Sequence, residues 1–135
     1  MRDSILISIH PEYVKKILSR EKRYEFRRKI PTVEVRFLVI YATYPIMRVV
    51  ALAEVNSVFS DTPERLWRST RHFAGISKSY FQQYFDGREV AHAIELGSVI
   101  ELKKPKALDK ICSSIVAPQS YRFVDELFLK KLGRS

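Results

Sequence analysis

The chain has 135 residues, enough for one domain and little for two. Hydrophobic residues make up 46%, which excludes global disorder, and the longest apolar run, Phe37 to Ala42, is far short of the roughly 20 residues of a membrane-spanning helix. The 24 Lys plus Arg against 15 Asp plus Glu leave a net charge of +9, a potential that attracts polyanions, nucleic acid first and an anionic membrane surface second.

Ser4 to Ile9 reads as a short Ile-rich strand. Pro11 suits the first turn of a helix, where its missing N–H costs nothing, and Val14, Ile17 and Leu18 follow on one apolar face before the helix stops near Ser19. Arg20 to Lys29 is the unusual stretch, with six Lys or Arg in ten residues. Tyr24 and Phe26 alternate there with polar residues, so a strand would send both rings into the core and Glu25 and Arg27 outward or into a cleft. Cations fixed on such a strand can hold phosphates in register, and Glu25 can orient Lys22 or Arg27.

Pro31 breaks the chain, and Val33 to Tyr41 is β-branched and aromatic, a strand. Tyr44-Pro45 marks a turn, and Ile46 to Val58 is a strand long enough to bend around a barrel. Thr62 caps a helix that has Pro63 in its first turn and carries Leu66 and Trp67. Ser77 caps another that ends at Gly87; its Tyr80, Phe81, Tyr84 and Phe85 could stack bases, but their helical spacing suits the core better. Val90 to Leu102 reads as a strand with a bulge or tight bend at Gly97, ended by Lys103-Lys104-Pro105. Pro118 to Tyr121 is loop-like, and Val124 to Leu132 is a short helix with a basic end. Strands, a helical insert and further strands make an α+β fold rather than a doubly wound one, with residues 1–135 as one domain whose core spans about 4–123.

Cys112 is the sole cysteine, so no internal disulfide forms, and its expected place is a small buried apolar one. Met1 to His10 does not read as a secretory signal, and the expectation is a cytoplasmic protein with no membrane partner. His10, His72 and His92 lack metal-ligand spacing, and Gly75, Gly87, Gly97 and Gly133 form neither a dinucleotide fingerprint nor a phosphate loop, so no cofactor is expected.

The basic stretch is similar to the signature of the ASCH family, G-x-K-x-x-E-x-R just after the first helix, matched here by Lys22, Glu25 and Arg27. Arg20 stands at the glycine position, a residue without glycine's steric freedom that would add a cation at the cleft mouth. ISIHPEYVKKIL, VIYATYP, AGISKSYFQQYFDG, AHAIELG and APQSY also resemble the phage and bacterial branch of single-domain ASCH proteins, from Ile5 to about Tyr121. The resemblance implies a PUA-like β-barrel with flanking helices, a cleft lined by the signature, and RNA as partner. Some members look like metal-independent ribonucleases; others are amidohydrolases of acetylcytidine, which carry Thr where this chain has Glu25.

Each reading has a chemistry. For binding, Lys22, Arg23, Arg27 and Arg28, with Arg20 at the mouth, would hold phosphates of single-stranded or structured RNA while an aromatic ring takes a base; DNA is a lesser candidate. For RNA cleavage, Glu25 or Tyr41 would take the ribose 2′-OH proton while Lys22 and Arg27 face the phosphate. For a modified nucleoside, Lys22 would activate a hydroxyl such as that of Thr43. Gln119, Ser120 and Tyr121 would line or close the cleft, by resemblance. A regulatory protein acting on a protein partner is a further alternative, and an exposed apolar patch would be its sign.

Overall fold

The computed structural model describes residues 3–133. Six strands form one mixed sheet, curled into a half-barrel. They are β1 (Ser4–Ile9), β2 (Tyr24–Arg27), β3 (Phe37–Ala42), β4 (Arg48–Asp61), β5 (Ala91–Lys106) and β6 (Tyr121–Val124), in the spatial order β2-β5-β4-β3-β1-β6. β1 and β3 run parallel; every other pairing is antiparallel. Four helices flank the sheet: α1 (Pro11–Leu18), α2 (Pro63–Thr70), α3 (Lys78–Tyr84) and α4 (Glu126–Leu132). This is the α+β architecture that the element order predicts and the PUA-like one that the resemblance implies.

β1 and β3 lie in the middle of the fold and are covered on both faces, which is why both are almost unbroken apolar runs. Ile5, Ile7, Leu38 and Ile40 point to one side, where Val14 and Ile17 of α1 close over them. Leu6, Val39 and Tyr41 point to the other, beneath Phe128 and Leu132 of α4. A third cluster forms where α2 and α3 cover the far part of the sheet. There Phe26, Leu66, Phe81, Phe85 and Ala93 pack together, with Phe81 5.1 Å from Phe26 and 4.8 Å from Phe85 between ring centroids.

Local chemistry fixes several element ends as expected. The Thr62 hydroxyl accepts from the Arg65 N–H at 3.4 Å, and the Ser77 hydroxyl accepts from the Tyr80 N–H at 3.0 Å. The β4–β5 register slips around Gly97, as a bulge requires.

Other boundaries differ from expectation. β3 starts at Phe37, not Val33: its parallel partner begins at Ser4, opposite Phe37, and ahead of it only Arg36 joins in, its N–H donating to the Asp3 carbonyl and its carbonyl accepting from the Val55 N–H. β4 runs from Arg48 to Asp61 rather than from Ile46 to Val58. β5 continues past Lys103-Lys104-Pro105 to Lys106; Ala51 pairs with Glu101 but Val49 with Lys106, so Pro105 sits in an irregular stretch where a lost N–H is tolerated. Tyr121 to Val124 is a strand against β1, and the last helix begins only at Glu126, capped by Asp125. Cys112 is half-buried against the second cluster, its Sγ 3.2 Å from the Ser114 hydroxyl.

Phe81 is 1% exposed and joins Phe26, Trp67 and Phe85, so Phe81→Ala should cost about 3–5 kcal/mol of unfolding free energy in urea titrations. A loss below about 1 kcal/mol would mean that the third cluster is not a packed core.

Candidate nucleic-acid interface

A cleft of about 500 Å³ opens where the C-terminal ends of β1 and β3 meet β2. Its floor comes from Ser8, Lys22, Glu25, Arg27, Tyr41 and Thr43. His10 and Tyr13 of the β1–α1 junction stand on one side. Ile76, Tyr80 and Tyr84 form a wall. Tyr44 and Met47, 79% and 54% exposed, stand at the mouth. The Ser8 hydroxyl donates to the Pro118 carbonyl at 2.7 Å and so ties the segment carrying Ala117 and Gln119 over the cleft.

Lys22 is the most constrained of these groups, at 2% exposure. Its ammonium donates to the Ala74 carbonyl at 2.8 Å and lies 4.9 Å from the Phe26 ring centroid and 5.7 Å from that of Tyr13. Carbonyl and ring faces both favour the charged form. Burial nevertheless pushes the Lys22 pKa down to about 8; Glu25 opposes that fall, and Arg27 and Lys16 add to it. The segment above the side chain can approach only because residue 75 is glycine. A Cβ on Gly75 would lie 2.4 Å from the Lys22 Cβ, and Gly75 has φ +70°.

Glu25 and Arg27 follow the alternation of β2. The Arg27 Nε donates to Glu25 Oε2 at 2.9 Å, its Nη2 lies 2.7 Å from the same oxygen, and Nη2 also donates to the Ser8 carbonyl at 3.0 Å. The fork thereby clamps Arg27 in one orientation and leaves Glu25 Oε1 unengaged by it. Thr43 lines the same space, and its buried hydroxyl has no hydrogen-bond partner among the described residues. Such a group costs free energy until a ligand or water pairs it.

The structure thus gathers Lys22, Glu25, Arg27, Tyr41, Thr43 and Gln119 around one space. It places the other expected site residues elsewhere. Arg20 keeps the left-handed turn of a glycine, at φ +68°, but its guanidinium donates to the carbonyls of Gly97 and Leu96, away from the cleft mouth. Arg23 lies over the Phe73 ring at 3.8 Å. Arg28 stacks on Tyr84 at 4.3 Å and donates to its carbonyl, at the back of the wall. Ser120 and Tyr121 do not line the cleft; Tyr121 pairs with Ile7 and packs on the core. His10, which spacing alone marks as ordinary, does line it, as do Ser8 and Tyr13. The aromatic quartet divides: Phe81 and Phe85 are core, whereas Tyr80 and Tyr84 face the cleft.

The ASCH domain family model matches residues 7–105. A curated relative from Zymomonas mobilis, an ASCH domain-containing ribonuclease, is 34% identical over 96 residues, or 70% of this chain. The match spans 65% of that relative's length, just under two thirds. A large ribosomal subunit protein of Ureaplasma parvum is 27% identical over 109 residues, 80% of this chain but 35% of its own length. The crystal structure of ASCH from Zymomonas mobilis superposes with a TM-score of 0.91 at 30% identity, covering 99% of this chain and 96% of that one.

The fit around Lys22 sets apart two glycines of similar φ. An alanine Cβ at Gly75 meets the Lys22 stem, while one at Gly87 (φ +75°) meets nothing within 4 Å. Gly87→Ala should cost about 1 kcal/mol of backbone strain, and Gly75→Ala at least about 2 kcal/mol more, in parallel urea denaturations. Equal losses would show that Lys22 and the segment above it are not in tight contact.

Proposed function

Because the chain belongs to the ASCH domain family, we propose that its cleft binds RNA and cleaves the bound strand. The observation that carries the proposal is the pairing, on one floor, of a buried ammonium with a carboxylate-clamped guanidinium, Lys22 and Arg27. Two fixed cations with different donor geometry suit a phosphate, and the surrounding Tyr13, Tyr80, Tyr84 and Tyr44 rings suit a base. The ribonuclease of Zymomonas mobilis supports the choice of substrate.

In the proposed reaction Glu25 takes the proton of a ribose 2′-OH through Oε1, the oxygen that Arg27 leaves open. The 2′ oxygen attacks the adjacent phosphorus, the P–O5′ bond breaks, the leaving O5′ takes up a proton from solvent water while Glu25 returns its own to solvent, and a 2′,3′-cyclic phosphate and a 5′-hydroxyl result. Lys22 and Arg27 stabilise the charge that builds on the phosphoryl oxygens. Tyr41, buried in the floor, is the alternative proton acceptor. Thr43 favours a second reading, a nucleoside amidohydrolase in which Lys22 activates its unpaired hydroxyl. Glu25 stands where the resembling hydrolases carry Thr, and this argues for the strand reading.

Three outcomes are expected. Binding of end-labelled single-stranded RNA, followed by anisotropy, should weaken with a log–log salt slope of about −2 to −4, and a flat response would exclude phosphate binding. Lys22→Ala should weaken binding about 10- to 100-fold, the worth of a buried charge-assisted hydrogen bond, while loss of the exposed Lys104 should matter little; equal effects would reduce the signature to a charged face. If Lys22 acts as a cation, its contribution to affinity is complete below pH 8 and lost as the pH rises through about 8, where the ammonium deprotonates. An affinity that is level from pH 6 to 10 would contradict that role.

A further inference from the structure

The cleft uses few of this protein's cations: Lys22 and Arg27 are the Lys and Arg that line it, against a net charge of +9. A second group of arginines is arranged in a row. Arg65 and Arg68 on α2, and Arg71 in the short 3-10 turn that follows, recur every three residues and are exposed. Their guanidinium groups make no hydrogen bond or ion pair among the described residues. Six residues of helix place the outer two about 9 Å apart along the axis. Glu64 and His72 are the other titratable groups on these turns, so the row keeps a clear positive excess.

The row leads to the cleft wall. Phe73 follows it, and the Arg23 guanidinium lies 3.8 Å from the Phe73 ring centroid, with its Nε donating to the Arg20 carbonyl. The Arg23 N–H donates to the Phe73 carbonyl at 2.8 Å. The next residue, Ala74, accepts from Lys22, and Ile76 lines the cleft. The exposed cations and the buried one are therefore joined by three residues of chain.

We propose that Arg65, Arg68, Arg71 and the Arg23–Phe73 stack form a track for the phosphates of a single RNA strand, whose continuation enters the cleft. The inference rests on the RNA reading above and narrows it: the substrate is a polynucleotide, not a free nucleoside. Arginine suits the task, since its fork pairs phosphate oxygens and its plane stacks on unpaired bases.

The test compares single-stranded RNA of about 12 nucleotides with a dinucleotide, by anisotropy and by competition over a range of salt. The double variant Arg68→Gln/Arg71→Gln should bind the longer strand about tenfold more weakly, with a salt slope shallower by about 1.4, two charges at 0.7 each. Its dinucleotide affinity and thermal midpoint should match those of the unmodified protein. Lys103→Gln/Lys104→Gln, an equal loss of charge on exposed β5 positions, should change the slope less. An unchanged slope in the arginine variant, an equal change in the lysine variant, or an equal loss of dinucleotide binding would each overturn the track while leaving the cleft reading intact. An unmodified protein that binds neither RNA would overturn both.

Discussion

The burial of Lys22 is the constraint around which the functional end of this protein is arranged. An ammonium at 2% exposure needs compensation for lost water, and it finds it in one carbonyl and two ring faces. Those partners come from three places: Ala74 from the helical insert, Phe26 from β2 and Tyr13 from α1. One side chain therefore fixes the insert, the signature strand and the first helix relative to one another. Gly75 is the steric condition of that arrangement, since any side chain there would occupy the space of the Lys22 stem.

Arg27 is organised by the opposite strategy. Its guanidinium pairs with Glu25 and also donates to the Ser8 carbonyl, which locks the fork without a deep hydrophobic shell. The two cations therefore differ in donor geometry: the guanidinium presents a planar fork, and the ammonium, whose pKa burial lowers to about 8, a compact point charge.

Much of the architecture was legible because its causes lie within a few residues. Pro11, Thr62-Pro63 and Ser77 mark helix starts through chemistry that reaches three residues ahead, and the alternation at Tyr24 to Arg27 sorts core from cleft on a single strand. What stayed hidden depends on partners far along the chain. β6 is four residues that become a strand only beside β1, more than a hundred residues earlier, and the β-branched Val33 and Val35 fall before the start of both ladders of β3. His10 reaches the cleft because β1 ends there, which no spacing rule reports. Long side chains mislead most: Arg20, Arg23 and Arg28 belong to the signature stretch, yet each guanidinium turns to a carbonyl or ring that the fold brings near.

The two borders of the sheet carry a consequence of their own. An open sheet leaves unpaired backbone groups on its outermost strands, and another copy could extend the ladder there. Here both outer strands, β2 and β6, are only four residues long, and each carries charge, Glu25 and Arg27 on one and Arg122 on the other. A neighbour docking along either would gain few ladder bonds and would meet fixed charges. The same short strand that carries Glu25 and Arg27 of the signature thus also discourages lateral association, and with it the growth of aggregates from an exposed edge.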